Sequence, residues 1–179
     1  MDTSAYDVLT LGFSNRDWEE TLAILRATQV QLLADVRTAP GSRKFPWFNQ
    51  DHLQTALPEE GIDYVYMPQL GGFRKGSVSE LNAGWRNASF RRYADYMQTA
   101  EFREGIDQLI ETMGGKRTIY VCTEAVFWRC HRALISDALL VRGYKVGHVF
   151  SATKVEPHRL TPFAKVEGLQ ITYPAAEQV

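Results

Sequence analysis

Cysteine is scarce in this chain. Only two of its 179 residues are Cys, Cys122 and Cys130, eight positions apart. Two thiols in one short stretch are not the disulfide framework of a small secreted domain, so a reduced, cytoplasmic setting is expected. An excess of either charge is missing too. Twenty Lys and Arg against 21 Asp and Glu leave a formal net charge of −1, which gives no global pull toward nucleic acid or an anionic membrane. No apolar run approaches the length of a membrane span. The amino end, MDTSAYDVLTLGFSN, has no basic region followed by an apolar core, so no secretion signal is expected. Internal repeats and low-complexity tracts are lacking. Aromatic weight is present, with four Trp, eight Tyr and nine Phe. The length suits a single domain, residues 1–179, with a full core.

Apolar runs alternate with helical patterns along the chain. VLTLGF at 8–13, VQLLADV at 30–36, IDYVYM at 62–67, the run starting at Ile119 and YKVGHVF at 144–150 read as five strands. Residues 169–173 add a small edge strand. Helical spacing follows the first strand, with Ser14 or Asn15 as cap, and recurs after Asn49 or Asp51, from Ser89, after Thr99 and through Leu134, Ile135, Ala138 and Leu139. Strands separated by helices imply parallel pairing with right-handed crossovers. The expectation is an α/β fold, a three-layer αβα sandwich with a mostly parallel sheet of about five strands in the order 3-2-1-4-5. The irregular segment 69–87 reads either as a lid or as an Ω-loop covering the core.

The stretch TIYVCTEAVFWRCHRALISDA, residues 118–138, concentrates the chemistry. A strand runs into a helix through Cys122, Glu124, Arg129, Cys130, His131 and Arg132. Such a junction stands at a sheet's carboxyl edge beside a helix amino end, where α/β proteins hold ligands. Parallel strands bring their other carboxyl ends to the same rim: Ser14 and Asn15, Asp35 and Arg37, Gly71 and Gly72, and His148 or Ser151. In the expected order Ser14, Asn15, Cys122 and Glu124 stand closest together. Each of these residues also has a purely structural reading, as a cap, a turn or an ion pair.

Four chemistries compete. A thiol phosphatase needs an Arg after five intervening residues, but Trp128 holds that position and Arg129 comes one later, and Glu124 would repel a phosphate. Zinc is disfavoured because Cys130 and His131 are adjacent and would diverge by about 100° on a helix; Cys130 then reads as a small buried residue on the helix's inner face. No metal is expected, and the sequence names no cofactor. An anion pocket fits better: Arg37, Arg129 and Arg132 as contacts with Ser14 and Asn15, Glu124 as acid or base, His131 as proton shuttle, Cys122 as a second candidate nucleophile, and Asp35 orienting an Arg or His. An ion pair of Arg132 with Asp35 or Glu124 is the structural counter-reading. The fourth is nucleic acid, through Arg43 and Lys44 interleaved with Phe45, Trp47 and Phe48, and through Arg91 and Arg92.

The blocks LGFSN, ADVRTAPGSRKFPWFN, LGGFR, WRNASFRRYADYM, CTEAVFWRCHRALISD and LTPFAKVEGLQITYP resemble the domain of unknown function 488 over nearly the whole chain. Phe13 stands where that family usually has His, and Thr123 where it often has Ala. The resemblance implies one α/β domain with a shared site on Asp35, Arg37, Cys122, Glu124, Cys130, His131 and Arg132, and implies no particular activity. The expected function is an enzyme of hydrolase or transferase type acting on a small anionic, nucleotide-like substrate. The alternative is a noncatalytic nucleic-acid- or nucleotide-binding module, and a self-paired scaffold is a third reading.

Overall fold

In β1 (Val8–Gly12) both faces are buried. Leu9 and Leu11 enter one apolar cluster and Val8 enters another on the opposite side, as the two-residue period of a strand requires. β2 (Leu32–Asp35) and β4 (Thr118–Cys122) are likewise buried throughout. This is the signature of central strands in a sheet covered on both sides. The computed structural model describes residues 1–176. With β3 (Asp63–Tyr66), β5 (Val146–Ser151) and β6 (Lys154–Pro157), they form one sheet in the order β3-β2-β4-β1-β5-β6. The first five strands are parallel, and β6 runs antiparallel to β5.

The expected order 3-2-1-4-5 is corrected here, because β4 inserts between β2 and β1. The cause is the long connection after β3. It carries α3 (Ala88–Tyr96) and α4 (Ala100–Met113) back over β2 on the far face of the sheet. α1 (Trp18–Thr28) and α2 (Gln50–Glu59) cover the opposite face, while α5 (Arg132–Val141) lies with α3 and α4. Chains leaving β1 and β2 therefore turn to one face and the chain leaving β4 to the other. That reversal opens a crevice at the carboxyl edge beside β4.

Asp17 caps α1, its carboxylate accepting from the Glu20 N–H at 2.7 Å. Ser14 and Asn15, expected as caps, precede that point; Ser14 makes the turn itself with φ 54°. Thr99 caps α4 as expected, and Asn87 caps α3. The expected edge strand at 169–173 is β8 (Gln170–Thr172), but it pairs with β7 (Lys165–Glu167) in a separate ribbon, and β6 holds the edge. β6 is KVEP, with no apolar alternation to betray it. Segment 69–87 is pinned as a cover. Asp95 accepts hydrogen bonds from Ser79 N–H, Ser79 Oγ and Asn82 Nδ2, and Trp85 packs on Phe90, Phe163 and Tyr173.

Leu134 on α5 is fully buried against the sheet. Leu134→Ala is expected to lower unfolding stability by about 3 kcal/mol in urea titrations; a loss below about 1 kcal/mol would mean that α5 is not packed as described.

Candidate active site

The site is built around a buried cation. Arg132 opens α5 and is 1% exposed. Its Nε donates to Cys122 Sγ at 2.9 Å, Nη1 to Thr10 Oγ1 at 2.9 Å and Nη2 to the Glu124 carbonyl at 2.9 Å. Gly12 makes this approach feasible. A Cβ there would sit 1.7 Å from the Glu124 carbonyl oxygen and 2.8 Å from Arg132 Nη2. Among the described residues no carboxylate forms an ion pair with Arg132. The counter-reading of an ion pair with Asp35 or Glu124 is not met among the described residues. Asp35 is taken by Arg37, and Glu124 meets Arg132 through its backbone.

Behind Arg132 runs a buried hydrogen-bond chain. Thr10 Oγ1 accepts from Arg132 and is hydrogen-bonded to His148 Nδ1 at 2.7 Å. His148 Nε2 and His158 Nδ1 share the next hydrogen bond at 2.8 Å. His158 in turn donates from Nε2 to Asp137 Oδ1 at 2.7 Å. Asp137 also accepts from Tyr173 Oη at 2.8 Å and from the Thr161 N–H. Asp137 lies on α5 and is fully buried. Burial, first, and then the charge of Arg132 hold His148 down to about 2, so it stays neutral.

In front of Arg132 lie the two thiols, both free and both buried. Cys130 is not inside the helix as expected. Its backbone is extended (φ −141°, ψ 153°), and its Sγ caps α5 by accepting the Arg132 N–H at 3.4 Å. Burial opposes ionisation there. The Cys122 thiol beside it, the Arg132 charge and the Arg132 N–H outweigh that penalty and hold Cys130 down to about 7. Cys122 is pushed well up, by burial and by the charge on Cys130. The pair thus carries one negative charge readily and resists a second. Facing it, Arg132 is raised despite its burial. His131 Nε2 donates to the Val36 carbonyl at 2.6 Å, which leaves Nδ1 as an acceptor 3.4 Å from Cys130 Sγ. Burial lowers His131, so the ring is neutral. Gly72 passes close by, and a Cβ on it would lie 2.4 Å from Nδ1.

A cavity of about 520 Å³ opens over these groups, lined by Cys122, Thr123, Glu124, Arg129, Cys130 and His131 from the junction. Arg37, Gly72 and Phe73 line it from the ends of β2 and β3, and Asn87, Ser89 and Phe90 from the start of α3. Two helix amino ends, those of α3 and α5, therefore face one space, and both favour an anion. Asp35 holds Arg37 through Nε at 2.8 Å and Nη2 at 2.7 Å, with Tyr64 Oη donating to the same carboxylate at 2.6 Å. Asp35 orients an arginine, the role read for it in the sequence. Arg129 is exposed at the rim and forms no ion pair among the described residues.

Other expected site residues lie elsewhere. Arg132 does not line the cavity and sits beneath its floor. Ser14 lines a neighbouring pocket of about 250 Å³ with Phe13, Arg37 and Phe48, and exposed Asn15 lines neither space. The Ser14 N–H donates to the Thr123 carbonyl at 2.8 Å, zipping the end of β1 onto β4 and leaving no gap there. His148 is buried in the proton chain, and Ser151 hydrogen-bonds within its own turn. Thr10, Asp137, His158 and Tyr173 were not read as site residues. Only the oddity of a polar Thr inside an apolar strand hinted at the first. No group of three or more His, Cys, Asp or Glu among the described residues is placed to hold a metal ion. No described helix is long and apolar enough to cross a membrane.

Comparison with family models gives a match to "Domain of unknown function DUF488" over residues 17–139. The chain belongs to the DUF488 family. Every residue named above as lining the 520 Å³ cavity falls within that DUF488 span. Asp137 is inside it too, whereas Thr10, His148, His158 and Tyr173 lie outside. No curated protein and no solved structure matches. Where the DUF488 resemblance led to an expected His, Phe13 stacks on Phe48 at 4.2 Å, with Arg37 over its ring at 5.1 Å.

His148 makes stability depend on pH. The unfolded chain binds a proton on this ring near pH 6.5, and the folded chain does not until about 2. Stability is therefore lost as pH falls below 6.5, by about 2.7 kcal/mol at a pH of about 4.5 from this group alone. His148→Gln is expected to flatten that slope in urea titrations at stepped pH; an unchanged slope would place the proton uptake elsewhere.

Proposed function

We propose that this protein is a thiol-dependent enzyme of the hydrolase or transferase type, acting on a small anionic substrate held in the 520 Å³ cavity. The observation that carries the reading is Cys130. It is the helix-capping thiol, held down to about 7, it lines the cavity, and a histidine acceptor nitrogen lies 3.4 Å from it. A nucleophile with a depressed pKa and an adjacent base is the usual arrangement for covalent catalysis. The nucleophile moves from Cys122 to Cys130 because Cys130 Sγ is the sulfur beside the His131 acceptor nitrogen, whereas Cys122 Sγ is engaged by the Arg132 guanidinium and by the Glu124 carbonyl.

In this reading Arg37, Arg129 and the two helix ends bind the substrate's negative group. The Cys130 thiolate, with His131 Nδ1 3.4 Å away, attacks the electrophilic carbon or phosphorus. The bond to the leaving group breaks, and that group takes a proton from cavity water. Water, or an acceptor in a transferase, then gives its proton to Glu124 at the rim and attacks the same centre, and Cys130 leaves as thiolate. The buried proton chain keeps Arg132 in place so that the sulfur pair stays singly charged.

The noncatalytic nucleic-acid reading has less support. Arg91 donates to the Ser79 carbonyl and Arg92 to the Gly76 carbonyl, so both are tied to the covering loop. Arg74 likewise bonds backbone carbonyls at 68, 69 and 71.

Activated nitrophenyl acyl and phosphoryl esters test the enzyme reading. A burst of nitrophenol, matching the protein concentration, is expected with at least one ester class and is absent in Cys130→Ser. Glu124→Gln is expected to keep the burst and slow steady turnover by about a hundredfold. Turnover in Cys130→Ser equal to wild type would contradict the reading.

A further inference from the structure

The transfer chemistry uses Cys130 and leaves Cys122 without a role, yet the two sulfurs are arranged as a pair. Both are free, both line the cavity, and both accept N–H groups of one residue: Cys130 from the Arg132 backbone at 3.4 Å and Cys122 from the Arg132 guanidinium at 2.9 Å. The segment between them is a short 3₁₀ turn, Phe127–Arg129, flanked by the exposed residues 123–125. The cavity gives a small oxidant a direct path to both.

We infer that Cys122 and Cys130 form a peroxide-reactive dithiol, in which a hydroperoxide oxidises Cys130 and Cys122 closes the product to a disulfide. The inference rests on the proposed function only in taking Cys130 as the nucleophile. The Cys130 thiolate attacks the terminal oxygen of the hydroperoxide. An S–O bond forms, the O–O bond breaks, and the departing alkoxide or hydroxide takes a proton from cavity water. The Cys122 sulfur then attacks the sulfenic sulfur. The S–S bond forms, the S–O bond breaks, and the hydroxide leaves as water with the Cys122 proton. The two sulfurs lose two electrons, and the peroxide oxygens gain them. Oxidation removes the thiolate that faces Arg132 and caps α5, so the transfer reaction stops until a dithiol reductant restores the pair.

The test treats the full chain with hydrogen peroxide and follows intact mass, free thiols and nonreduced tryptic peptides. Trypsin cuts after Arg129, which separates the two cysteines. The expected product has lost about 2 Da, has no free thiol, and yields peptide 118–129 linked to 130–132, reversed by dithiothreitol. Cys130→Ser is expected to lose its remaining thiol at least about tenfold more slowly. Cys122→Ser is expected to stop at a sulfenic acid that dimedone traps. A wild-type product that gains oxygen without the linked peptide would overturn the inference, as would a Cys130→Ser chain that reacts as fast as wild type. The nitrophenol burst is read on untreated, reduced aliquots of the same preparations. Disulfide without burst overturns the transfer reading alone, and burst without disulfide overturns this one.

Discussion

A buried guanidinium with no carboxylate beside it among the described residues is the constraint on which the rest of this protein depends. Placing Arg132 out of water carries a desolvation cost of several kcal/mol in general. The fold offsets it with three donated hydrogen bonds, to Cys122 Sγ, Thr10 Oγ1 and the Glu124 carbonyl. The sulfur pair supplies the opposing charge. Gly12 must lack a side chain for the junction to close over Arg132, and α5 must begin where it does for the Arg132 N–H to reach Cys130. Thiol acidity and fold are therefore set by the same contacts.

The arrangement divides labour by depth. Beneath the floor, the chain from Thr10 through His148 and His158 to Asp137 and Tyr173 ties β1, β5, the tail and α5 together. A network satisfied at every member rigidifies what it touches. At the floor sit the two sulfurs and the His131 nitrogen. At the rim, Arg129 and Glu124 are exposed and free to meet a guest. A helix-capping thiol above a locked cation is an unusual use of a strand-to-helix junction, yet it needs no contact beyond ordinary hydrogen bonding.

Much of this was legible in the sequence, for a physical reason. A strand that turns into a helix must end its apolar run, and the polar residues crowding 122–132 marked where the sheet edge would carry chemistry. The parallel sheet and its two covering layers followed from alternating strand and helix periods. What failed depended on distance along the chain. Thr10 read as strand filler, because its partners Arg132 and His148 are more than a hundred residues away. Arg132 was expected to contact a bound anion, with a carboxylate pair as the alternative, and nothing local reveals that its partners are Cys122 Sγ, Thr10 Oγ1 and a carbonyl. Cys130 was read as helical because the helical period was extended back to it, whereas its backbone is extended. The strand order went astray at the connection after β3, whose length leaves its landing point open. β6 carries no apolar alternation and could not be seen.

The central claim is that Arg132 keeps one of the two thiols ionised near neutral pH. The ultraviolet absorbance of thiolate, followed through a pH titration of wild type and of Arg132→Met, tests it most directly, with circular dichroism to confirm that both chains are folded. One thiolate per wild-type chain is expected to appear with a midpoint near pH 7, and the second only well above pH 9. In Arg132→Met the first midpoint is expected to rise by at least about one unit. A folded Arg132→Met chain that titrates like wild type would contradict the account.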